Sequence, residues 1–411
     1  MTPKQSVRRY EPLLIGLLSL NFGILFFDRN ALNFLMPFVQ PDLGLSNTQV
    51  GLLASAFSLT WAIGGVVVGG VSDRTGMRKP ILIAVTFGFA LCSLLSGIAA
   101  SFAVLLGARL LMGLLEGGVL PISQSLVVSE VAPERRGLAM GLMQNFGSNL
   151  LGSTAASVIL VAVGQSVGWR NAFFLAGIPA AVSAVLMWWL VREPARAPQV
   201  PGAALERLSL GQALSRRNIF VCVLISILMV SDLVICFAFM PLFLIHERGF
   251  DPIAMGWLIG TLGVSAAIAG FLVPGVSDLT GRRSAMVVAP LFGVLTPLSA
   301  MFFHGSLWSL AGLFFLGWTA IGTFPLFMAT IPSETIDSRH TATALGLIMG
   351  VGEGLGGVLS PTLAGFAADS FGLQAPLWIM VALPLAAGLL ALGLQETAPR
   401  LLAAGGSPNG H

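Results

Sequence analysis

The chain has 411 residues, of which 55% are hydrophobic and only 9% are charged, and its formal net charge is +3. In a soluble domain roughly a quarter of the residues are charged, so this composition excludes a soluble globular protein. Apolar runs of about 20 residues, each long enough to cross a bilayer as a helix, recur along the whole sequence. The sequence therefore predicts an all-α membrane protein.

Twelve transmembrane helices are predicted in chain order. The first is too long for the apolar core of a signal peptide, and we expect it to be retained. Three cysteines lie inside apolar runs, which favours packing roles over a disulfide scaffold or a metal site. The predicted spans cover residues 13–38, 48–71, 80–99, 102–128, 137–163, 171–191, 219–245, 253–275, 285–303, 307–330, 342–366 and 375–394.

Basic residues predict the orientation of these spans. If the N-terminal tail is cytoplasmic, the cytoplasmic side holds 17 of the 21 lysines and arginines, whereas the opposite side holds only Arg170 and Arg248. An excess of basic residues marks cytoplasmic loops. We therefore expect a multi-pass protein of the bacterial inner (plasma) membrane with both termini in the cytoplasm. Topology also explains the basic loops without a nucleic-acid partner.

An internal repeat divides the chain in two. The segment 69–79 returns as 274–283, with Asp73 and Asp278, and likewise Gly76 and Gly281, 205 residues apart. We interpret the repeat as two pseudo-symmetric six-helix halves with a binding site between them. The predicted domains are residues 1–191, a cytoplasmic linker at 192–218 containing a short amphipathic helix at 203–214, residues 219–396, and a tail at 397–411.

Several motifs resemble those of the major facilitator superfamily. The repeated segment resembles the signature between spans 2 and 3 of that family, and residues 109–117 resemble its span 4 motif. Residues 27–30 (Phe-Asp-Arg-Asn), together with Arg109 and Glu116, resemble the anion:cation symporter branch, which imports organic anions such as sugar acids with protons. The resemblance implies the major facilitator fold and a proton-coupled symporter of a small organic anion that works by alternating access. No nucleotide-binding motif is found. We expect neither enzymatic activity nor a cofactor, and a monomer in the lipid bilayer.

Charged residues inside the spans are the candidate functional groups, because a charge at the bilayer centre is costly. The resemblance implies that Arg29 binds the substrate carboxylate, which a guanidinium can grip with two parallel hydrogen bonds. The alternative is a fixed ion pair between Arg29 and a nearby acid. Asp28 and Glu116 are the predicted proton carriers. Arg109 is expected to have a gating or structural role.

Two further acids depart from the pattern of that branch. Asp232 and Glu353 have no basic residue in their own spans. They are interpreted as additional proton sites, as partners of Arg29, or as a site for a cationic group. The last interpretation supports an alternative function, a proton-coupled antiporter that exports cationic or amphipathic compounds. Against it, Gly152 is followed by Ser153, whereas the span 5 motif of such exporters ends in Gly-Pro.

Neutral polar and aromatic residues complete the predicted substrate site. The amides of Gln144, Asn145 and Asn149 in span 5 suit substrate hydroxyls because they both donate and accept hydrogen bonds. Thr319 and Thr323 in span 10 are further polar candidates, and Trp61 and Trp318 are candidates for stacking on a substrate. Hydrogen bonding between helices and simple packing are the alternatives.

The charges of the repeated motif are predicted to be mechanical rather than chemical. Asp73 is expected to accept from the N-terminal end of a neighbouring helix or from an arginine. We hypothesise that these charges hold the cytoplasmic side closed when the cavity opens outward, with contact to anionic lipids as the alternative. The predicted gating residues, besides Arg109, are Asp73, Arg74, Arg78, Glu130 and Arg135 in the first half and Asp278, Arg282, Glu334 and Arg339 in the second.

Overall fold

A computed structural model describes residues 3–132, 135–194, 210–337 and 340–405. These residues form helices and no strand. Twelve of the described helices are long and apolar enough to cross a membrane, so the predicted fold class and number of spans are confirmed. They are α1 (Tyr10–Leu43), α2 (Asn47–Thr75), α3 (Arg78–Gly97), α4 (Phe102–Glu130), α5 (Arg136–Val167), α6 (Trp169–Leu190), α7 (Arg217–His246), α8 (Pro252–Thr280), α9 (Arg282–Phe302), α10 (Leu307–Thr335), α11 (Thr343–Phe371) and α12 (Gln374–Ala391).

Two short helices lie outside the spans. One covers Leu210–Leu214 and the other Pro399–Gly405. The first overlaps the end of the predicted amphipathic helix at 203–214, whose other residues lie outside the described ranges.

Helix α2 extends beyond its apolar run because both of its ends are capped. The Ser46 hydroxyl accepts from the Gln49 backbone N–H, and the Gln49 side chain accepts from the Ser46 N–H, which forms a capping box. The helix ends at Gly76, whose φ of 70° lies in the left-handed region that favours glycine. Asp73 and Arg74, which we assigned to a loop, therefore lie in the last turns of α2.

Helices α5 and α11 each contain a π-helical segment, in which the backbone hydrogen bonds span five residues. The segment in α5 covers Leu142–Ala155, and the segment in α11 covers Gly352–Gly357. Gly147 and Gly152 precede Gly352 and Gly357 by 205 residues, the step of the sequence repeat. The two irregular segments therefore occupy equivalent positions in the two predicted halves.

Helix α10 also departs from α geometry. It changes to a 3-10 helix over Thr319–Thr323 and to a π-helix over Leu326–Thr330. Discontinuous membrane helices often mark binding sites in transporters. These departures fall beside Trp318 and at Thr319 and Thr323, the α10 residues selected from the sequence.

Contacts divide the chain into two compact units. The N-terminal unit comprises Met1–Pro198 and Pro241–Val264, and the C-terminal unit comprises Gln199–Met240 and Ser265–His411. The predicted domain boundaries stay a prediction, because most of the linker lies outside the described residues.

Close glycine contacts hold the N-terminal unit together. A Cβ on Gly23 of α1 would lie 2.8 Å from the Gly147 carbonyl oxygen of α5, and a Cβ on Gly113 of α4 would lie 2.5 Å from the Phe57 carbonyl oxygen of α2. Small residues allow membrane helices to approach this closely. Residues 252–264 of α8 pack on α5 in the same way, and there Thr154 Oγ1 donates to the Gly260 carbonyl over 2.9 Å. These contacts fix the positions of α1, α2, α4 and α5, which carry most of the candidate site.

Candidate functional site

Three aromatic rings surround the Arg29 side chain of α1. Its guanidinium carbon lies 5.2 Å from the ring centroid of Phe26, 4.6 Å from that of Phe57 and 5.4 Å from that of Trp61. We call these three rings the aromatic cradle. Contacts of this kind stabilise a desolvated cation by about 0.5–2 kcal/mol. No described carboxylate forms an ion pair with Arg29, and the side chain is only partly buried. The guanidinium is therefore available to an anion.

Arg109 of α4 holds the backbone of α1 at the same level. This side chain is 3% exposed. Its Nη2 donates to the Arg29 carbonyl oxygen over 2.9 Å, its Nη1 donates to the Met112 sulfur over 3.1 Å, and its guanidinium carbon lies 5.1 Å from the Phe57 centroid. Arg109 thus links α4 to α1 and positions the residue that we expect to bind substrate.

The two predicted proton carriers of the N-terminal unit are fully buried. Asp28 accepts a hydrogen bond from the Ser93 hydroxyl of α3 through Oδ1, and its Oδ2 has no partner among the described residues. Glu116 has no described partner for either carboxylate oxygen. Both carboxyl groups therefore lie away from water with few hydrogen-bond donors. Ser93 was missed from the sequence, because a serine in an apolar helix carries no signal of its partner.

The four charged residues form one electrostatic cluster without direct ion pairs between the described groups. The charges of Arg29, Asp28 and Arg109 all act on Glu116. Charges interact more strongly here than in water, since the effective dielectric constant of a protein interior is lower. Two acids and two bases make the cluster neutral overall when all are ionised. A change of charge at Arg29 therefore changes the field at Glu116.

The structure does not join the α5 amides to this cluster. Gln144, Asn145 and Asn149 are partly buried, and their side chains make no hydrogen bond to the described residues. Gly147 faces α1.

In α10, Trp318 and Thr319 have different surroundings. Trp318 is 2% exposed and its ring meets Phe237 edge-on, with centroids 5.8 Å apart. This is the geometry of a packed aromatic pair. Thr319 is partly buried and its hydroxyl donates to the Leu316 carbonyl over 2.6 Å.

Two candidate carboxylates belong to the C-terminal unit. Asp232 of α7 is 3% exposed, and its Oδ1 has no hydrogen-bond partner among the described residues. Glu353 is partly buried and lies in the π-helical segment of α11. By the repeat step of 205 residues, Glu353 is the counterpart of Ser148 in α5. The two units therefore carry different chemistry at equivalent positions.

In the C-terminal unit, the charged residues of the predicted network form ion pairs with each other. Arg282 pairs with Glu334 through Nη2 over 3.0 Å and through Nε over 3.3 Å, and with Asp278 through Nη1 over 2.6 Å. Glu334 also accepts from the Thr397 hydroxyl over 2.6 Å, and Ser277 accepts from Arg282. The charged guanidinium is 8% exposed, and its partners satisfy its donors.

In the N-terminal unit, no ion pair between described residues joins the equivalent motif charges. Arg78 donates to the Ser129 hydroxyl over 2.6 Å, and neither Asp73 nor Glu130 forms an ion pair with a described residue. Arg135 contacts Glu11 over 3.6 Å, instead of a group of the repeated motif. Arg74 is exposed. Arg339 lies outside the described residues.

Two glutamates that were missed from the sequence cap the helices after the repeated motif. Glu193 accepts from the backbone N–H groups of Arg78 and Lys79 at the start of α3, both over 2.8 Å. We expected Asp73 to have this role, but its exposed side chain makes no such contact. Glu396 caps α9 in the same way, accepting from Arg282 over 2.7 Å and from Arg283 over 3.2 Å. The two glutamates are 203 residues apart, so the repeat could have revealed them.

The Glu396 cap predicts a measurable loss of stability in acid. Partial burial raises the pKa of Glu396. The hydrogen bonds that its carboxylate accepts from the backbone N–H groups of Ala398, Arg282, Arg283 and Thr397 lower the pKa by more than burial raises it, so the pKa lies below its usual value. A depressed pKa stabilises the fold above the unfolded value of about 4.3, and this contribution is lost as pH falls through the folded pKa. We expect Glu396→Gln to lower Tm at pH 7. Below about pH 4, we expect the difference in Tm between the variant and the wild type to become smaller. An unchanged gap between the two Tm values across this range would contradict the assignment.

Twelve apolar helices with charges buried among them are the features of a multi-pass transport protein of a membrane. The model of the Major Facilitator Superfamily matches residues 18–353, so the chain belongs to that superfamily and is a membrane transporter, not an enzyme. The family predicted from the motifs is therefore confirmed.

Similar proteins transport organic acids. The hexuronate transporter of Bacillus subtilis is 28% identical over 378 residues, covering 84% of this chain and 85% of its own. The 3-(3-hydroxy-phenyl)propionate transporter of Escherichia coli is 29% identical over 375 residues, covering 89% and 88%. Among solved structures, a bacterial homologue of the human lysosomal transporter Spinster, inward-facing and unoccupied, has a TM-score of 0.76 at 19% identity and covers 94% and 95%. The last comparison shows the shared fold.

Proposed function

We propose that this protein is a proton-coupled symporter that brings a small organic anion into the cell by alternating access. Arg29 binds the substrate carboxylate, and Asp28 and Glu116 carry the proton. The carboxylate is the group shared by the hexuronate and hydroxyphenylpropionate named for its relatives. We also propose the inner membrane as its location, cytoplasmic termini and a monomeric state.

The state of Arg29 is the observation that carries the proposal. A guanidinium in a membrane helix normally has a charged partner, because an isolated charge there is costly. Arg29 has rings on three sides, no carboxylate in ion-pair contact among the described residues and a partly exposed position. A substrate carboxylate supplies the direct ion pair that Arg29 lacks.

Coupling follows from the charge balance of the cluster. The positive charge of Arg29 acts on Glu116. When a substrate anion occupies Arg29, it offsets that charge, and the ionised form of Glu116 loses part of its support. A proton on Glu116 then restores the balance, so proton binding and anion binding favour each other.

Other predicted residues are proposed in supporting roles. The amides of Gln144, Asn145 and Asn149 are available for polar groups of the substrate, because they bond to no described residue. Thr319 is proposed as a further polar group for the substrate, whereas Trp318, which is buried against Phe237, is proposed to have the packing role. Asp232 and Glu353 are proposed as further proton sites.

Transport by purified protein in liposomes tests the proposal. We expect organic acid uptake that rises with external acidity and falls to background in Arg29→Ala, whereas Arg216→Ala, which removes an exposed arginine, keeps wild-type uptake. Efflux of organic cations that persists in Arg29→Ala would instead support the exporter, with Asp232 and Glu353 as its charged sites.

A further inference from the structure

The surroundings of Arg29 are aromatic and lack hydroxyl groups. The cradle consists of two phenylalanines and one tryptophan. The chain has a single tyrosine, Tyr10, and its hydroxyl accepts from the Arg192 backbone N–H over 2.7 Å. When a substrate carboxylate binds Arg29, the rest of the substrate therefore lies against rings that have no hydroxyl group to hydrogen-bond with it.

The Asn30 side chain, which follows Arg29 in α1, is already occupied. The Asn30 amide donates to the Gly152 carbonyl of α5 over 2.9 Å. Arg109, which also contacts Phe57, uses one amino group on the Arg29 carbonyl and another on Met112. No described hydrogen bond joins the amides of α5 to Arg29. Polyhydroxylated substrates need several donors and acceptors to replace their lost water, because unpaired buried polar groups are costly.

We propose that the Arg29 site selects a carboxylate attached to a flat, unsaturated body, such as an aromatic acid, over a polyhydroxylated sugar acid. This inference rests on the proposed role of Arg29. Trp61 acts as the specificity-determining residue, because its ring is partly exposed whereas Phe57 is 3% exposed and lies against both Arg29 and Arg109. The π face of Trp61 stacks on a flat ligand, whereas hydroxyl groups of a sugar acid would lose hydrogen bonds to water at the same place.

Three acids of similar size separate the contributions. Benzoate, cyclohexanecarboxylate and glucuronate each carry one carboxylate on a six-membered ring, and they differ in flatness and hydroxylation. We expect benzoate to bind purified protein roughly two- to tenfold more tightly than cyclohexanecarboxylate, which is the range of one aromatic pair. Glucuronate is expected to bind most weakly. Binding is measured by the shift of Tm with ligand concentration and by competition for uptake in liposomes.

Variants of Trp61 assign the selectivity to the cradle. Trp61→Leu is expected to bring the affinities for benzoate and cyclohexanecarboxylate together, and Trp61→Phe to retain most of the difference. Trp308→Leu is the matched control, because Trp308 is 80% exposed at the start of α10. The ratio of the two affinities is the readout, so a general loss of stability does not imitate the result.

The outcomes distinguish this inference from the proposed function. If the wild type binds benzoate and cyclohexanecarboxylate with equal affinity, or binds glucuronate most tightly, the inference is overturned. If binding still depends on Arg29 in that case, the carboxylate site is upheld. Binding of any of the acids that is unchanged in Arg29→Ala overturns the proposed function itself. Failure of all three acids to bind contradicts both.

Discussion

Glu116→Gln is expected to abolish the accumulation of substrate driven by a pH gradient. Glutamine has nearly the shape of glutamic acid but carries no exchangeable carboxyl proton. Glu116 is fully buried and lacks described hydrogen-bond partners, so the change removes no contact. One pH unit corresponds to 1.36 kcal/mol, so wild-type protein with one coupled proton accumulates substrate up to about tenfold. The variant is expected to reach only equal concentrations inside and outside.

Exchange of labelled for unlabelled substrate across liposomes separates this effect from misfolding. Exchange requires binding and alternating access but no net proton movement, and we expect Glu116→Gln to retain it. Glu247→Gln is the matched control, because Glu247 is an exposed acid between α7 and α8. Tenfold accumulation by Glu116→Gln would exclude Glu116 as the proton carrier, and Asp28→Asn would then be the next variant to measure.

Arg282→Met is expected to be the most destabilising charge substitution in the C-terminal unit. The guanidinium is 8% exposed and joins Glu334 and Asp278. Its removal leaves Glu334, which is 19% exposed, without its cation. The loss of one partner from a largely buried pair costs about 3 kcal/mol. Thermal unfolding in detergent is therefore expected to show a Tm lower by several degrees.

The N-terminal unit supplies the comparison. Arg78 begins α3 as Arg282 begins α9, but its side chain bonds only to the Ser129 hydroxyl among the described residues. Arg78→Met is expected to cost less than half as much as Arg282→Met. In a double-mutant cycle, Glu334→Gln should recover part of the loss caused by Arg282→Met. Equal effects in the two units would contradict the asymmetry of these charge networks.

The sequence was sufficient to predict the family, the number of spans and the repeat, because each depends on patterns that span many residues. Hydropathy alone determines which segments reach across a bilayer. The charged residues in the spans were equally visible, since each stands out from an apolar background. Arg29, Asp28, Arg109 and Glu116 could be selected before any contact was known.

Contacts that depend on the rotation of one helix against another could not be predicted. Asp28 turns to Ser93 of α3 while its neighbour Arg29 turns to Phe57 and Trp61 of α2. Nothing in the spacing of these residues along the chain identifies the pairs. The π-helical segment of α5 adds a second difficulty, because α-helical spacing misplaces side chains beyond it.

The π-helical segment of α5 carries parts of two different packing surfaces. Gly147 and Gly152 contact α1, whereas Thr154 and Ser157 contact the glycines of α8. A turn with α hydrogen bonds in place of one π turn would leave one residue fewer in the turn, and successive residues of an α-helix are about 100° apart. The part of α5 beyond such a turn would then rotate relative to the part before it. By changing its own hydrogen-bond register, the helix would turn the surface that Thr154 and Ser157 present to α8 relative to the surface that Gly147 presents to α1.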